Sequence, residues 1–125
     1  MESIHVLIVD DEPDVEWLFK QRFRKELRSG SLTLHFAFSG EQALAFLSDG
    51  LAANIILVLS DINMPGMTGL DLLKRIKQDY PDVRVHMITA YGDENNYRLA
   101  MEYGADGYLT KPLDFDEIRR NVFGL

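Results

Sequence analysis

Four short apolar runs each end on a carboxylate, hydroxyl or ammonium side chain, and this spacing constrains the fold more than any other feature of the chain. The runs end at Asp10 and Asp11, at Asp61, at Thr89 and at Lys111. If the runs are parallel strands, their carboxyl ends meet at one edge of a sheet, where ligands bind in open α/β sheets. We therefore expect these residues, which are far apart in the chain, to form one site.

Segments with strand-like and helix-like patterns alternate along the chain. The predicted strands cover residues 4–9, 32–38, 55–59, 83–88 and 107–109. This alternation is typical of a parallel sheet with helices on both faces. The third run is apolar at every position, which is typical of a central strand buried on both faces. We predict a single α/β domain over residues 1–125, built from five β-α units.

Capping and stop signals mark the ends of the predicted helices. Pro13 suits the first turn of the first helix, and Ser39 with Gln42 forms a predicted capping box before the second. Gly104 ends the fourth helix, and Asp114 opens the last one. These boundaries agree with the division into five units.

Composition narrows the class of protein. The chain has 125 residues, 46% of them hydrophobic and 26% charged, which is typical of one globular domain. No apolar run approaches the roughly 20 residues that span a bilayer, and residues 1–3 show no signal-peptide pattern, so we expect a cytoplasmic protein. The net charge of −7 disfavours direct binding to nucleic acid, and the absence of cysteine excludes disulfides and thiolate metal sites.

The three aspartates at the strand ends predict a metal site. Carboxylates brought together would repel one another, and a hard divalent cation such as Mg²⁺ relieves that repulsion. We expect Asp11 and Asp61 to be direct ligands, and Asp10 to bind directly or through water. The alternative is that Asp10 and Asp11 only cap the first helix.

The same strand ends carry groups suited to phosphoryl transfer. Asp61 is a candidate nucleophile, since a carboxylate can attack phosphorus and form an acyl phosphate. Phosphoryl transfer depends mainly on positioning and charge stabilisation, which the Lys111 ammonium would supply opposite the metal. Thr89 offers a hydroxyl that can donate to a phosphoryl oxygen, although a lone threonine at a strand end is usually a helix cap.

Four segments together carry a family resemblance. They are residues 9–13 (VDDEP), 60–69 (SDINMPGMTG), 88–90 (ITA) and 104–112 (GADGYLTKP). In this order and spacing, the chain resembles the receiver domain of two-component response regulators. The resemblance implies a flavodoxin-like, doubly wound (βα)5 fold with strand order 2-1-3-4-5. It also implies phosphorylation by a histidine kinase or a histidine phosphotransfer protein.

The resemblance assigns roles at the site. Asp61 is the phosphoacceptor, Asp10 and Asp11 hold Mg²⁺, and the backbone carbonyl of Asn63 completes the protein ligands. Lys111 pairs with the phosphoryl group, and a cis peptide bond joins it to the next residue, a proline. A cis bond before proline costs only about 0.5–1 kcal/mol.

The resemblance also implies a switch made by Thr89 and Tyr108. The hydroxyl moves toward the phosphoryl group, and the aromatic ring turns inward. The surface of the fourth predicted helix, the fifth strand and the last helix then controls an output domain or a downstream protein. The alternative for Tyr108 is a residue packed at the sheet edge. Three residues of the fourth helix lie either on a homodimer or partner surface or in the core: Tyr97, Met101 and Tyr103.

Two positions bear on phosphoryl lifetime. In the family that the chain resembles, the residues two beyond the acceptor and two beyond the switch hydroxyl influence the loss of the phosphoryl group to water. Here they are Asn63 and Tyr91. We expect Tyr91 to shield the phosphoryl group; the alternative is that its side chain points into solvent. The three histidines, His5, His35 and His86, fall within strand runs, so we interpret them as sheet residues and not as metal ligands.

Three competing functions fit the residues less well. An aspartyl-phosphate hydrolase needs an acid to protonate the leaving group, but the residue two beyond Asp61 is Asn63. A flavin or nucleotide module needs backbone donors for phosphate in its first loop, whereas residues 10–12 are acidic. A receiver-like interaction module that works without phosphorylation does not require Asp61, Thr89 and Lys111 together. We therefore expect a protein that modifies its own aspartate and is not a multiple-turnover enzyme on external substrates.

Overall fold

Five parallel strands form the centre of the molecule. The computed structural model describes residues 3–50 and 54–125. Residues 1 and 2, which entered the signal-peptide argument, lie outside this part. The sheet order is β2-β1-β3-β4-β5 and every pair is parallel, which confirms the predicted α/β architecture. The strands are β1 (Ile4–Val9), β2 (Leu32–Ala37), β3 (Ile55–Asp61), β4 (Arg84–Thr89) and β5 (Gly107–Thr110).

Helices cover both faces of this sheet. They are α1 (Pro13–Arg22), α2 (Arg24–Ser29), α3 (Gly40–Ser48), α4 (Gly69–Asp79), α5 (Glu94–Glu102) and α6 (Phe115–Glu117), which continues as a π-helical segment (Ile118–Val122). Within the described ranges, no helix is long and apolar enough to cross a membrane. The fourth predicted helix is α5, because the first predicted helix is divided into α1 and α2.

The break between α1 and α2 falls at Phe23, which has φ −110° and ψ 24°. Its side chain is fully buried and packs against three other phenylalanines beneath the C-terminal segment: Phe19, Phe115 and Phe123. The sequence pattern missed this break because Phe23 lacks the glycine or proline that usually marks one.

The core consists of two layers, one on each face of the sheet, since successive strand residues point to opposite faces. Leu7 and Val9 of β1 belong to the layer under α3 and α4. Val6 and Ile8 belong to the layer that contains Phe19 of α1. Buried side chains on both faces hold the strands in register and so bring their carboxyl ends together at one edge.

One expectation for the third strand is wrong. Ile56 is 49% exposed, although the apolar run predicted burial at every position. The pairing of β1 with β3 advances from His5 opposite Ile55 to Val6 opposite Leu57, so Ile56 is an extra residue in an irregular register. Such a bulged residue has no partner on the neighbouring strand and turns away from the core.

The helix caps largely follow prediction. Ser39 accepts a hydrogen bond from the Gln42 N–H, but the Gln42 side chain accepts from the Phe38 N–H and not from Ser39, so the predicted capping box is incomplete. A full capping box joins Thr68 and Asp71 at the start of α4. Its position fixes where α4 begins after the loop that follows Asp61.

Candidate functional site

The carboxyl edge of the sheet brings three aspartates together, as the sequence predicted. Asp10 follows β1 and Asp61 ends β3, and these neighbouring strands place Val9 opposite Ser60 at their carboxyl ends. One carboxylate oxygen from each of Asp10, Asp11 and Asp61 lies within 4.8 Å of the others. Within residues 3–50 and 54–125, this is the one group of three or more acidic, histidine or cysteine side chains close enough to share a metal ion.

Burial makes this cluster electrostatically strained. Asp10 is 6% exposed and Asp61 is 4% exposed. Burial raises the pKa of Asp10, and the negative charges of Asp61 and Asp11 raise it further, although a hydrogen bond from the Glu12 N–H and the nearby Lys111 charge oppose the shift. The Asp10 carboxyl therefore resists ionisation, and a cation bound beside it would stabilise its charged form.

Lys111 approaches the cluster from β5. Its ammonium lies 3.3 Å from a carboxylate oxygen of Asp61. The Lys111 N–H donates to the Thr89 carbonyl at 2.9 Å, which ties this residue to the end of β4. The peptide bond between Lys111 and Pro112 is cis, as the family resemblance implied.

The loop after Asp61 is folded back on the strand. The Ile62 N–H donates to the Ile88 carbonyl at 3.1 Å, and the Gly69 N–H donates to the Ile62 carbonyl at 2.8 Å. A Cβ at Gly69 would overlap the Asp61 carbonyl oxygen. Glycine is therefore required for this close approach. Asn63 lies in this loop, two residues after Asp61, and is exposed.

Thr89 and Tyr108 lie near the site in distinct environments. Thr89 is buried, and its hydroxyl donates to the Ala90 carbonyl at 2.9 Å. Tyr108 is 42% exposed, with its ring edge-to-face against Tyr97 at a centroid distance of 4.2 Å. Both residues line an open cavity of about 950 Å³ between α5 and β5. An outward tyrosine beside open space has room to change its position.

The side chains of α5 resolve the alternatives left by the sequence. Tyr103 packs against the buried core and lies beneath the Lys74 ammonium, which is 4.2 Å from the ring centroid. Met101 is exposed and Tyr97 is half-buried, and both line the cavity beside Tyr108. Only Met101 and Tyr97 therefore remain candidates for a surface that contacts a partner.

Tyr91 is 85% exposed and lines the same cavity. The three histidines lie in strands, which confirms their interpretation as sheet residues. His5 and His35 form a hydrogen-bonded pair with 3.0 Å between Nδ1 and Nε2, and His86 is buried in β4.

Two contacts were not apparent from the sequence, one in the loop after Asp61 and the other at the opposite, amino edge of the sheet. The Glu41 carboxylate accepts a hydrogen bond from the Met67 N–H at 3.1 Å, in the loop that follows Asp61. Lys77 donates to the carbonyl of Val83 and to Asp106. Burial opposes ionisation of Asp106, but the bonds from Lys77 and from the Val85 N–H outweigh it and lower its pKa. No local pattern marks these contacts, because each joins residues from different elements.

The doubly wound sheet, with three aspartates and a lysine gathered at its carboxyl edge, defines the class of the protein as an α/β domain with one cluster of charged side chains at the strand ends. Comparison with known proteins identifies the family within this class. The profile of the response regulator receiver domain matches residues 6–123. The chain belongs to this family and is a receiver domain of two-component response regulators.

Individual relatives agree. The chain is 39% identical over 122 residues to sporulation initiation phosphotransferase F of Bacillus subtilis, covering 98% of this chain and 93% of that protein. It is 38% identical over 112 residues to the DNA-binding transcriptional regulator NtrC of Salmonella typhimurium, covering 90% of this chain but 22% of that protein. The crystal structure of the receiver domain of NtrX from Brucella abortus superposes with a TM-score of 0.77 at 31% identity, covering 91% of each chain.

Proposed function

We propose that the chain is a cytoplasmic, phosphorylation-activated signalling switch that accepts a phosphoryl group on Asp61. The pairing of the Asp61 carboxylate with the Lys111 ammonium, beside two further aspartates, is the observation that carries this proposal. The phosphoryl donor would be a histidine kinase or a histidine phosphotransfer protein. Among the relatives, one is named a phosphotransferase and another a transcriptional regulator, and both descriptions suit a protein that passes on a phosphorylation signal.

The aspartate cluster fits Mg²⁺. The donor set consists of carboxylate oxygens within 4.8 Å of one another, and burial together with the neighbouring carboxylates raises the pKa of Asp10. Asp10, Asp11 and Asp61 would hold the ion, with the Asn63 backbone carbonyl as a further ligand. Bound Mg²⁺ would neutralise charge on the phosphoryl oxygens and orient them for in-line attack.

The residues of the chain supply the remaining chemistry. An Asp61 oxygen forms a bond to phosphorus while the phosphorus–nitrogen bond of the donor breaks, and the imidazole leaves with the electron pair. Lys111 holds a phosphoryl oxygen on the side opposite the metal, which stabilises the charge that develops during transfer. The Thr89 hydroxyl would exchange its bond to the Ala90 carbonyl for one to the phosphoryl group.

That exchange would change the surface formed by α5, β5 and α6. Movement of Thr89 opens space toward which the Tyr108 ring can turn, and the cavity beside Tyr97 and Met101 changes shape with it. This surface would control an output domain or a downstream protein, or form a homodimer. The domain would neither bind nucleic acid directly nor turn over an external substrate.

Intact mass spectrometry tests this function. The protein is incubated with acetyl phosphate and Mg²⁺, beside Asp61→Asn, a chelated sample and the control Asp82→Asn, an exposed aspartate in the loop before β4. We expect one phosphate adduct that hydroxylamine removes, present in the wild type and the control and absent from the other two samples. If phosphorylated histidine kinase also leaves the wild type unmodified, the domain is a phosphorylation-independent interaction module and the proposal is wrong.

A further inference from the structure

The turn at residues 64–67 is held by a hydrogen bond to a residue outside its own loop. Pro65 followed by Gly66, with φ +74° at the glycine, is typical of a type II turn. In such a turn the N–H of the fourth residue often donates to the carbonyl of the first. Here the N–H of that residue, Met67, donates to the Glu41 carboxylate at 3.1 Å.

Glu41 comes from a separate element. It lies in the first turn of α3, 26 residues before Met67 in the chain. Its carboxylate oxygens are 3.6 and 3.7 Å from the position that a Cβ would take on Gly66, so the carboxylate lies directly against the turn. The backbone of the turn is therefore held by a side chain of α3.

The Met67 side chain strengthens this attachment. A Cβ on Gly40 would come within 2.8 to 3.1 Å of the Met67 side-chain atoms, so Met67 packs directly on the start of α3. Met67 is also in contact with the buried core. Both the backbone and the side chain of Met67 are thus fixed to the helix that carries Glu41.

The held turn belongs to the loop that carries Asn63. The base of this loop is closed by the Gly69 N–H on the Ile62 carbonyl at 2.8 Å, a backbone contact. Away from this base, the Glu41 side chain restrains the turn at residues 64–67 through its hydrogen bond with the Met67 N–H. Glu41 is not part of the aspartate cluster, so its effect on a cation would be exerted through the loop.

We propose that Glu41 is a positioning residue for the metal site: by holding the Met67 N–H, it fixes the loop whose Asn63 carbonyl would be a further ligand of the cation. The inference rests on the proposed function, because it assumes that this cluster binds Mg²⁺. The proposed role depends on the length of the Glu41 side chain, since its carboxylate must extend from α3 to the turn. The negative charge at the start of α3 is a separate property, which an aspartate at this position would keep.

Two conservative variants distinguish the effect of the length of the Glu41 side chain from the effect of its charge. Glu41→Gln keeps the length and an acceptor oxygen but loses the charge, whereas Glu41→Asp keeps the charge and loses one methylene. We expect Glu41→Gln to bind Mg²⁺ nearly as the wild type does. Glu41→Asp and Glu41→Ala should bind it about fivefold more weakly, because the turn is no longer held.

Two measurements read out the effect. Backbone amide NMR during a Mg²⁺ titration gives the dissociation constant, and hydrogen exchange of the Met67 amide without metal reports the bond itself. That exchange should be about tenfold faster in Glu41→Asp and Glu41→Ala than in the wild type and Glu41→Gln. Glu102→Ala, which removes an exposed glutamate of α5, is the control for lost negative charge.

The outcomes are distinct. If Glu41→Asp binds as the wild type does while Glu41→Gln binds as weakly as Glu41→Ala, the charge acts at long range and the positioning role is wrong. Equal affinities and equal Met67 exchange in all variants would also overturn it, leaving the proposed function intact. If wild-type amides near Asp61 do not respond to Mg²⁺, the metal site of the proposed function fails, and the exchange measurement alone then decides whether Glu41 holds the turn.

Discussion

The Lys111 ammonium lies 3.3 Å from the Asp61 carboxylate, across 50 residues of chain and from the far side of β4. The carboxylate is buried, whereas the lysine side chain is 44% exposed. A buried anion is thus met by a cation that reaches in from the surface. This arrangement leaves the lysine free to follow a phosphoryl group added to Asp61.

Replacing this lysine should slow phosphorylation. In Lys111→Met the developing negative charge loses its partner opposite the metal, and we expect phosphorylation by acetyl phosphate to slow by about tenfold or more. Time courses of intact mass measure the rate. Lys25→Met, an exposed lysine on α2, is the matched control, and an equal rate in Lys111→Met and the control would show that the ammonium has no part in transfer.

Phosphorylation should bury the Tyr108 ring through the Thr89 hydroxyl. Fluorotyrosine at position 108, followed by fluorine NMR, should show the ring leaving its 42% exposed position in the phosphorylated wild type. In Thr89→Ala the phosphate adduct should still form but the shift should disappear. Thr110→Ala, which alters the same cavity at the end of β5, should keep the shift. If the shift persists in Thr89→Ala, the movement of the Tyr108 ring does not depend on the Thr89 hydroxyl.

Tyr91 should lengthen the lifetime of the phosphoryl group. Its ring is exposed beside the cavity, where it can cover the approach of water, whereas a glutamate would hydrogen-bond and admit water. We expect Tyr91→Glu to lose phosphate several-fold faster, and Tyr91→Phe to match the wild type. Decay of the adduct mass after removal of the donor gives both rates, and equal decay in Tyr91→Glu and the wild type would contradict shielding.

Two glycine substitutions should differ in cost. A Cβ at Gly69 meets the backbone of Asp61 and Ile62, which cannot move without disturbing β3, so Gly69→Ala should lower the free energy of unfolding by about 1–3 kcal/mol. The atoms nearest to a Cβ at Gly40 belong to the flexible Met67 side chain, so Gly40→Ala should cost less. Urea unfolding measures both free energies, and the reverse order would show that the loop adapts more easily than the methionine.

Stability should decrease below neutral pH because of His86. Burial lowers its pKa from the usual 6.5, and the Arg84 charge lowers it further. Its Nδ1 is buried and has no hydrogen-bond partner among the described residues. Below pH 6.5 the unfolded chain takes up a proton that the folded protein resists, so the free energy of unfolding falls by up to about 1.4 kcal/mol per pH unit for this group.

Urea unfolding between pH 7.5 and 5 measures this effect. His86→Gln should have a smaller dependence on pH than the wild type, and the difference between the two proteins isolates the histidine. His35→Gln should also reduce the dependence, since burial and the neighbouring His5 lower the pKa of His35. Identical slopes for His86→Gln and the wild type would mean that His86 is protonated equally in both states.

Much of the site was predictable from local sequence. A polar residue directly after an apolar run lies at a strand end, and parallel strand ends meet at one edge, so the convergence of Asp10, Asp61 and Lys111 followed from the pattern. The strand order and the cis peptide before Pro112 required the family resemblance, because periodicity identifies strands without saying which of them are neighbours.

Other features depended on contacts between elements. The exposure of Ile56 follows from an irregular register between β1 and β3, and the helix break at Phe23 accompanies an aromatic cluster completed by the C-terminal segment. By itself the sequence determined the class of fold and which charged residues meet at the carboxyl edge of the sheet, because both depend on hydrophobic periodicity and side-chain type. Only the tertiary structure decided that Glu41 reaches Met67, because that distance depends on how α3 packs against the loop after β3.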